Sequence, residues 1–296
     1  MSMITYEDII EEFKDKLPSQ DEFDSLGSKT ALFTTEENEI IKLNFNRGIL
    51  LYYLIAKYQP KNVLEFGTAR GFSTLCMAKA MEDFKIEGKI YTIDVIPFEK
   101  EQKYPIDWGD GQGSKEELIS NKKLWEKISK KEILEHIITL KGYSGEIMHK
   151  HKFPPIDFCY IDGAHFYEGV KHDFYSFLDV ASSKFLILFD DYIERKFFGV
   201  KKLVDEEIEG KINTKLIKTD TENYVMKLGW TNNEEYGMCL VDNYDKNEPI
   251  EHIFPKIQRD NFLNKYRKYE RRLKMRNNIN EKVPFLKNIR FKWWKK

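Results

Sequence analysis

The spacing of apolar residues changes near residue 60, and the two parts of the chain predict different structures. Before that point apolar residues recur at helical spacing, which predicts a helix over residues 6–17 and a second helix from the TTEE capping box at 34–37 to about residue 57. After it, short apolar runs alternate with helical stretches. This alternation predicts a mostly parallel β-sheet covered by helices on both faces.

Five apolar runs predict the parallel strands: residues 63–66, 89–94, 136–140, 157–161 and 184–189. Helices are predicted over residues 73–84, 115–131, 167–180 and 199–208. Three later apolar runs have little helix between them and suit antiparallel strands at one edge, namely residues 214–218, 224–228 and 236–241. Residues 96–113 contain glycines and aromatics and predict a long connection, either a lid or a plain surface loop.

Composition narrows the class of protein. The chain has 296 residues, 41% of them hydrophobic, which is enough to bury a sizeable core. No apolar run approaches the ~18 residues that span a bilayer, and the first 17 residues are too acidic for a signal peptide, so we expect a cytoplasmic protein. The widely spaced Cys76, Cys159 and Cys239 lie in apolar stretches, which predicts buried thiols and neither a zinc site nor disulfides.

Charge is distributed unevenly along the chain. Residues 256–296 hold 15 Lys and Arg against 3 Asp and Glu, a net charge of +12, whereas the whole chain has a net charge of −1. Cations and aromatics alternate in this basic tail, notably at residues 266–276 and 290–296. The tail suits contact with an anionic membrane surface or with nucleic acid, and equally a solvated helix or a contact between copies in a homo-oligomer.

A glycine-containing loop follows the first parallel strand. Residues 65–74 read EFGTARGFST, and the glycines at 67 and 71 allow a sharp turn and close approach of a ligand to the backbone. Glu65 would repel a pyrophosphate, whereas it tolerates an ammonium group. Asp94 ends the second strand, where a carboxylate can accept both hydroxyls of a ribose. The pattern favours an adenosine ligand that carries an amino acid.

This loop, together with YTID at residues 91–94, resembles the first two motifs of class I S-adenosylmethionine-dependent methyltransferases. The resemblance covers about residues 35–245 and implies a Rossmann-like, doubly wound α/β fold with a seven-stranded sheet, mostly parallel with an antiparallel edge strand. It divides the chain into an N-terminal helical cap (1–57), a methyltransferase domain (58–245) with an insertion at 96–130, and a basic C-terminal extension (246–296). The cofactor-binding residues that it implies are Glu65, Gly67, Thr68, Ala69, Gly71, Ser73, Thr74, Asp94, Ser144 and Asp162. Of these, Ser144 follows the third strand, at the place where this fold contacts adenine.

Carboxylates follow two adjacent strands of the predicted sheet. Asp162 and His165 come directly after the strand at 157–161, and Asp190 and Asp191 end the strand at 184–189. The carboxyl ends of these strands meet at one edge, so the three carboxylates are expected to converge. They would repel one another unless a cation lay among them, and their oxygens suit Mg²⁺, Ca²⁺ or Mn²⁺ better than zinc.

The segments DGAHFYE at 162–168, ILFDDY at 187–192 and GVKKLVD at 199–205 resemble the metal-dependent O-methyltransferases that modify sugars of macrolide and aminocoumarin antibiotics. They are also similar to the group labelled cephalosporin hydroxylase-like. The resemblance implies that Asp162, Asp190 and Asp191 bind Mg²⁺ or another hard divalent cation. It also implies that His165 is the general base. S-adenosylmethionine would be the methyl donor, and a sugar hydroxyl in a glycan or secondary metabolite would be the acceptor.

Two other function classes stay open. The basic tail permits a nucleic-acid methyltransferase, although DGAH at 162–165 differs from the Asn/Asp-Pro-Pro-aromatic motif of adenine amino-methyltransferases, so nucleic acid is not the favoured partner. A non-catalytic protein that binds the cofactor or a glycan is the third class.

In the helix after the fourth strand, Glu168 is expected in the first turn, and His172 and Asp173 on a solvated face.

Overall fold

A computed structural model describes residues 3–34, 38–42, 44–219, 237–244 and 249–282. The strands are β1 (Ile4–Thr5), β2 (Leu32–Thr34), β3 (Ile40–Lys42), β4 (Asn62–Phe66), β5 (Lys89–Asp94), β6 (Gln102–Ile106), β7 (Lys115–Ile119), β8 (Ile137–Lys141), β9 (Ile156–Ile161), β10 (Ala181–Tyr192), β11 (Asn213–Lys218) and β12 (Gly237–Asp242).

The helices follow in the same order. They are α1 (Tyr6–Ile10), α2 (Gln20–Thr30), α3 (Asn46–Tyr58), α4 (Phe72–Asp83), α5 (Asn121–Ile128), α6 (Lys131–Leu134), α7 (Ser144–Lys150), α8 (Tyr167–Leu178), α9 (Val200–Leu203), α10 (Ile250–Ile253) and α11 (Lys256–Lys282). A 3₁₀ segment, Glu11–Lys16, extends α1, and a π-helical turn, Val204–Ile208, extends α9.

The main sheet has eight strands in the order β1, β11, β12, β10, β9, β4, β5, β8. The five strands from β10 to β8 are parallel, which confirms the predicted doubly wound α/β class. The antiparallel strand is β12, and it lies between β10 and β11 rather than at an edge, because the chain returns from β11 between the two. The two-residue β1 pairs with β11 and adds the eighth strand. The predicted strand at 224–228 lies outside the described residues.

Both faces of the sheet are covered, as expected of parallel strands. Successive strand residues point to opposite faces, so that Val63 packs against α3 and α4 whereas Leu64 packs against the side that carries α8. Nine consecutive residues of α3, from Gly48 to Ala56, are buried. The three cysteines are free and buried, as predicted.

Two predicted helices are wrong in part. Residues 115–119 form β7, which pairs antiparallel with β6, and α5 begins only after Ser120, whose hydroxyl accepts a hydrogen bond from the Lys123 amide. Residues 96–113 therefore contain a hairpin strand where a lid or loop was predicted. Residues 40–42 form β3 instead of helix because they pair with β2, where the β-branched Ile40 and Ile41 are favoured, and α3 begins at Asn46. The capping-box residues 35–37 lie outside the described residues.

The basic extension includes a helix that is docked on the sheet domain. α11 packs on α7 and α8 through a stripe formed by Arg259, Leu263, Tyr266 and Glu270, whose spacing of four, three and four residues is that of one helix face. The guanidinium of Arg259, only 2% exposed, donates to the Asp179 carboxylate (2.8 Å) at the end of α8. Within the described ranges, no helix is long and apolar enough to cross a membrane.

Candidate active site

The loop between β4 and α4 requires its glycines. Gly67 and Gly71 have φ angles of 96° and 92°, in the left-handed region. A Cβ atom at 67 would lie 2.1 Å from the Asp162 carbonyl oxygen, and one at 71 would lie 2.1 Å from the indole of Trp125. The first glycine therefore lets the loop contact the end of β9, and the second lets α5 pack over it.

Asp94 holds this loop from the end of β5. Its Oδ2 accepts hydrogen bonds from the amides of Thr68 (3.2 Å) and Ala69 (2.9 Å), and its Oδ1 accepts one from the Ile96 amide (2.8 Å). The carboxylate predicted to bind ribose hydroxyls thus lies directly against the glycine loop. From α5, the Trp125 indole also donates to the Arg70 carbonyl (2.8 Å), a contact that no sequence motif indicated.

Glu65 is a fully buried carboxylate under the loop. One oxygen accepts a hydrogen bond from the Thr74 hydroxyl, and no hydrogen-bond partner is found for the other among the described residues. Burial raises the pKa of Glu65 to about 7, against the hydrogen bond from Thr74, which lowers it. An oxygen in this state is well placed to accept a hydrogen bond from a cationic ligand group.

Asp162, His165 and Asp191 meet at the ends of β9 and β10. One potential ligand atom from each lies within 4.8 Å of those of the other two, and the His165 Nδ1 contacts the Asp191 carboxylate directly. A bulge interrupts β10 between Phe189 and Tyr192, and Asp191 has a left-handed φ of 55°. Such strain in a residue other than glycine is commonest at functional sites.

Asp190 points elsewhere. It is buried, accepts a hydrogen bond from the Tyr160 hydroxyl (2.7 Å) and forms an ion pair with Arg47 (3.4 Å) of α3. Of the three carboxylates predicted to bind a metal, the structure therefore brings Asp162 and Asp191 together with His165 and leaves Asp190 beneath them. Consecutive side chains of a strand point in opposite directions, so the two aspartates are directed to different places.

The charged groups at this site change one another's pKa values. Burial and the neighbouring Asp190 raise the pKa of Asp162 well above its usual value, and Arg47 opposes that rise. The contact with Asp191 raises the pKa of His165 to about 9. In this arrangement the imidazole is charged at pH 7 and cannot accept a proton, so the role of general base requires that its contact with Asp191 be broken.

Arg47 is a site residue that the sequence analysis missed. Its guanidinium reaches Asp190 and lies 5.7 Å from the centre of the Phe72 ring at the start of α4. The available signal was a single arginine near the beginning of the otherwise apolar run that forms α3. Such a cation is costly to bury without a carboxylate partner.

The predicted adenine contact, Ser144, begins α7 directly after β8. Its hydroxyl lies 3.4 Å from the Nδ1 of His172. His172 and Asp173 are 1% and 2% exposed, so the expectation that they face solvent is wrong, because α11 covers this side of α8. Glu168 does lie in the first turn of α8, as expected.

Comparison with solved structures shows the fold class. The chain is similar to a putative O-methyltransferase from Klebsiella pneumoniae, with 15% identity and a TM-score of 0.51 over 80% of this chain and 94% of that one. It is also similar to cofactor-bound Rv0187 from MTB, with 14% identity and a TM-score of 0.50 over 82% of this chain and all of that one. The fold is therefore that of the class I, Rossmann-like methyltransferases.

Sequence comparison identifies the domain itself. Residues 64–192, which run from the glycine loop to the bulge of β10, match the family model described as a methyltransferase domain. No curated protein matches the chain. Residues 64–192 thus match a methyltransferase domain, as the two motifs in this part of the chain predicted.

Proposed function

We propose that the protein transfers a methyl group from S-adenosylmethionine to a hydroxyl oxygen of a sugar, in a glycan or a secondary metabolite. A divalent cation would bind where Asp162 and Asp191 meet at the ends of β9 and β10, which we call the reacting edge. The observation that carries the proposal is the convergence of Asp162, His165 and Asp191 beside the glycine loop. The neighbour from Klebsiella pneumoniae is named a putative O-methyltransferase, which agrees with an oxygen acceptor.

The cofactor fits the chemistry of the loop. Asp94 and the loop amides lie together at the end of β5, where the hydroxyls of a ribose can be held. The Glu65 carboxylate, which has one oxygen without a hydrogen-bond partner in the described part of the chain, suits the ammonium group of the amino-acid part. Ser73 and Thr74 begin α4 as buried hydroxyl side chains beside the same loop. These residues bind and orient the methyl donor in the proposal.

Asp162 and Asp191 could supply two carboxylate ligands to a divalent cation. Carboxylate oxygens suit Mg²⁺ or Mn²⁺, and a cation there would offset the burial and the repulsion that raise the pKa of Asp162. Such a cation lowers the pKa of a hydroxyl that it coordinates. Asp190 is already paired with Arg47 and Tyr160, so in the proposal it supports the site rather than binding the cation.

The protein's own groups perform the remaining steps. His165 is 49% exposed at the side chain and is the group of the three that an acceptor can reach. If Asp191 bound the cation, its contact with His165 would be broken, and the imidazole could then accept the proton of the hydroxyl. Because methyl transfer is a direct displacement, the glycine loop and the strand ends contribute mainly by aligning the two reactants.

The test is methyl transfer to a panel of free sugars, nucleotide sugars and glycosides, with nucleic acid as a further acceptor. We expect transfer to a sugar hydroxyl that falls at least about 100-fold in Asp191→Asn and about 100-fold in His165→Ala. Chelation by EDTA should abolish it, and added Mg²⁺ or Mn²⁺ should restore it. Asp15→Asn, at an exposed carboxylate of the 3₁₀ segment, is the matched control and should retain full activity.

The outcomes separate the parts of the proposal. Activity that survives both EDTA and Asp191→Asn would refute the cation. Methylation of nucleic acid instead of sugars would establish the alternative suggested by the basic tail. Binding of S-adenosylhomocysteine without transfer to any acceptor would support a non-catalytic binding protein.

A further inference from the structure

A buried polar network connects the basic helix α11 with the cofactor side of the domain. Its members are Ser144 and Gly145 at the start of α7, His172 and Asp173 on α8, and Tyr266 and Glu270 on α11. His172, Asp173 and Glu270 are each at most 6% exposed. Ionisable side chains are rarely buried in this way unless they are paired or serve a function, and a solvated tail, one of the alternatives that the sequence leaves open, would need none of them.

Glu270 makes the most direct of these contacts. Its Oε1 accepts a hydrogen bond from the Gly145 amide (3.0 Å). A Cβ atom at 145 would lie 2.5 Å from Glu270 Oε2, so glycine at this position permits the approach. Gly145 directly follows Ser144, the residue predicted to contact adenine, and the carboxylate therefore fixes the backbone of that segment.

Tyr266 makes the second contact, one helical turn before Glu270. Its ring stacks on His172 with centroids 4.4 Å apart and planes inclined by 24°. His172 in turn reaches the Ser144 hydroxyl (3.4 Å) and the Asp173 carboxylate (2.9 Å). Glu270 thus contacts Gly145 directly, and Tyr266 acts on Ser144 through His172.

The network also extends to the reacting edge. A Cβ atom at Gly163 would lie 3.3 Å from Asp173 Oδ2, so the Asp173 carboxylate lies against the backbone that follows Asp162. The position of this loop and that of the segment after β8 are therefore linked through His172 and Asp173. These contacts come from α7 and α8, which flank β9, and from α11, which lies much later in the sequence.

We propose that α11 completes the cofactor site, with Glu270 and Tyr266 as positioning residues that hold Ser144 and Gly145 for the adenine. The inference rests on the proposed function in requiring an adenosine cofactor. It assigns to the basic extension a role in cofactor affinity, in addition to any contact that its exposed cations make.

Calorimetry with S-adenosylhomocysteine on the full chain tests the inference. In Glu270→Leu the Gly145 amide loses its acceptor, and we expect about tenfold weaker binding. The KM for S-adenosylmethionine should rise by a similar factor while kcat at saturating cofactor stays within about twofold of wild type. Glu270→Gln keeps an oxygen that can accept the hydrogen bond and should bind within about threefold of wild type.

Lys274→Met is the matched control. It removes an exposed ion pair with Glu146 that also ties α11 to α7, but it leaves the buried network intact. Equal losses in Glu270→Leu and Lys274→Met would overturn the inference in favour of simple docking of the helix, and so would a fall in kcat with an unchanged KM.

A second variant covers a failure to fold. If thermal unfolding shows that Glu270→Leu is unfolded, Glu270→Asp replaces it as the test variant. Its side chain is one methylene shorter, so it should weaken binding of S-adenosylhomocysteine, whereas Glu270→Gln should not. A wild-type protein that does not bind S-adenosylhomocysteine would refute the proposed function itself. A wild-type protein that binds while all Glu270 variants bind equally well would refute only the positioning role.

Discussion

The buried carboxylate of Glu65 makes a quantitative prediction about stability and pH. Its pKa is raised from an ordinary 4.5 to about 7 because burial penalises the charged form. The folded state therefore binds the proton more tightly than the unfolded state. The stability from this group is fully present below pH 4.5, falls as the pH rises towards 7, and is constant above that. A shift of this size corresponds to about 3 kcal/mol.

The substitution Glu65→Gln isolates this contribution, because the amide has nearly the same shape, stays neutral and can still accept from Thr74. We expect wild type and variant to differ little in their pH-independent interactions. From pH 5 to pH 8, the free energy of unfolding of the variant should therefore gain about 2.5 kcal/mol relative to wild type. Urea denaturation at several pH values, without cofactor, measures this difference.

Glu116→Gln is the control, since Glu116 is exposed on β7 and its substitution removes a carboxylate without changing the buried site. A constant difference for Glu65→Gln would refute the desolvation argument, and a gain by wild type at high pH would reverse its sign. The same variant should bind S-adenosylhomocysteine more weakly than wild type, because a neutral amide attracts the ammonium group less strongly than a carboxylate.

Three further predictions concern other parts of the chain. Gly71→Ala places a Cβ against Trp125 at a left-handed φ, so it should destabilise the fold by about 1–3 kcal/mol and weaken cofactor binding. Gly111→Ala, with open space around it, should lower stability without lowering cofactor affinity. Thermal unfolding measures the stability of both variants, and calorimetry measures their cofactor affinity. Arg259→Met should cost about 1–3 kcal/mol in urea denaturation by leaving the aspartate at the end of α8 without its main partner. The full chain should sediment with phosphatidylglycerol vesicles but not with phosphatidylcholine vesicles, and Arg272→Glu should weaken that binding; equal sedimentation with both lipids would contradict the proposed anionic contact.

Much of the sheet could be predicted because each parallel strand is a short apolar run that can be recognised from its own residues. The glycine loop could be predicted in the same way, since Gly67 and Gly71 lie in one segment of the sequence. The hairpin β6–β7 was missed because its strands are polar on the exposed side, and the segment before Ser120 reads equally well as helix.

The part of the site that depends on tertiary contacts could not be predicted. His172 and Asp173 look like solvated helix residues until α11, about 90 residues later in the sequence, covers them. A consecutive pair of aspartates reads as one ligand set, but successive side chains of a strand point in opposite directions. Asp190 contacts Arg47, whereas Asp191, which has a left-handed φ within the bulge, contacts His165. The sequence gives no sign of this bulge.

The direction of α11 has a consequence for how substrates reach the enzyme. The helix runs from Asp179, at the end of α8, towards Gly145, at the start of α7, so its residues beyond Glu270 continue towards the edge where the strands end. The exposed arginines 271, 272 and 276 lie in this part. A polyanion held there would be tethered beside the methyl donor, and its effective concentration at the reacting edge would exceed that in bulk solution.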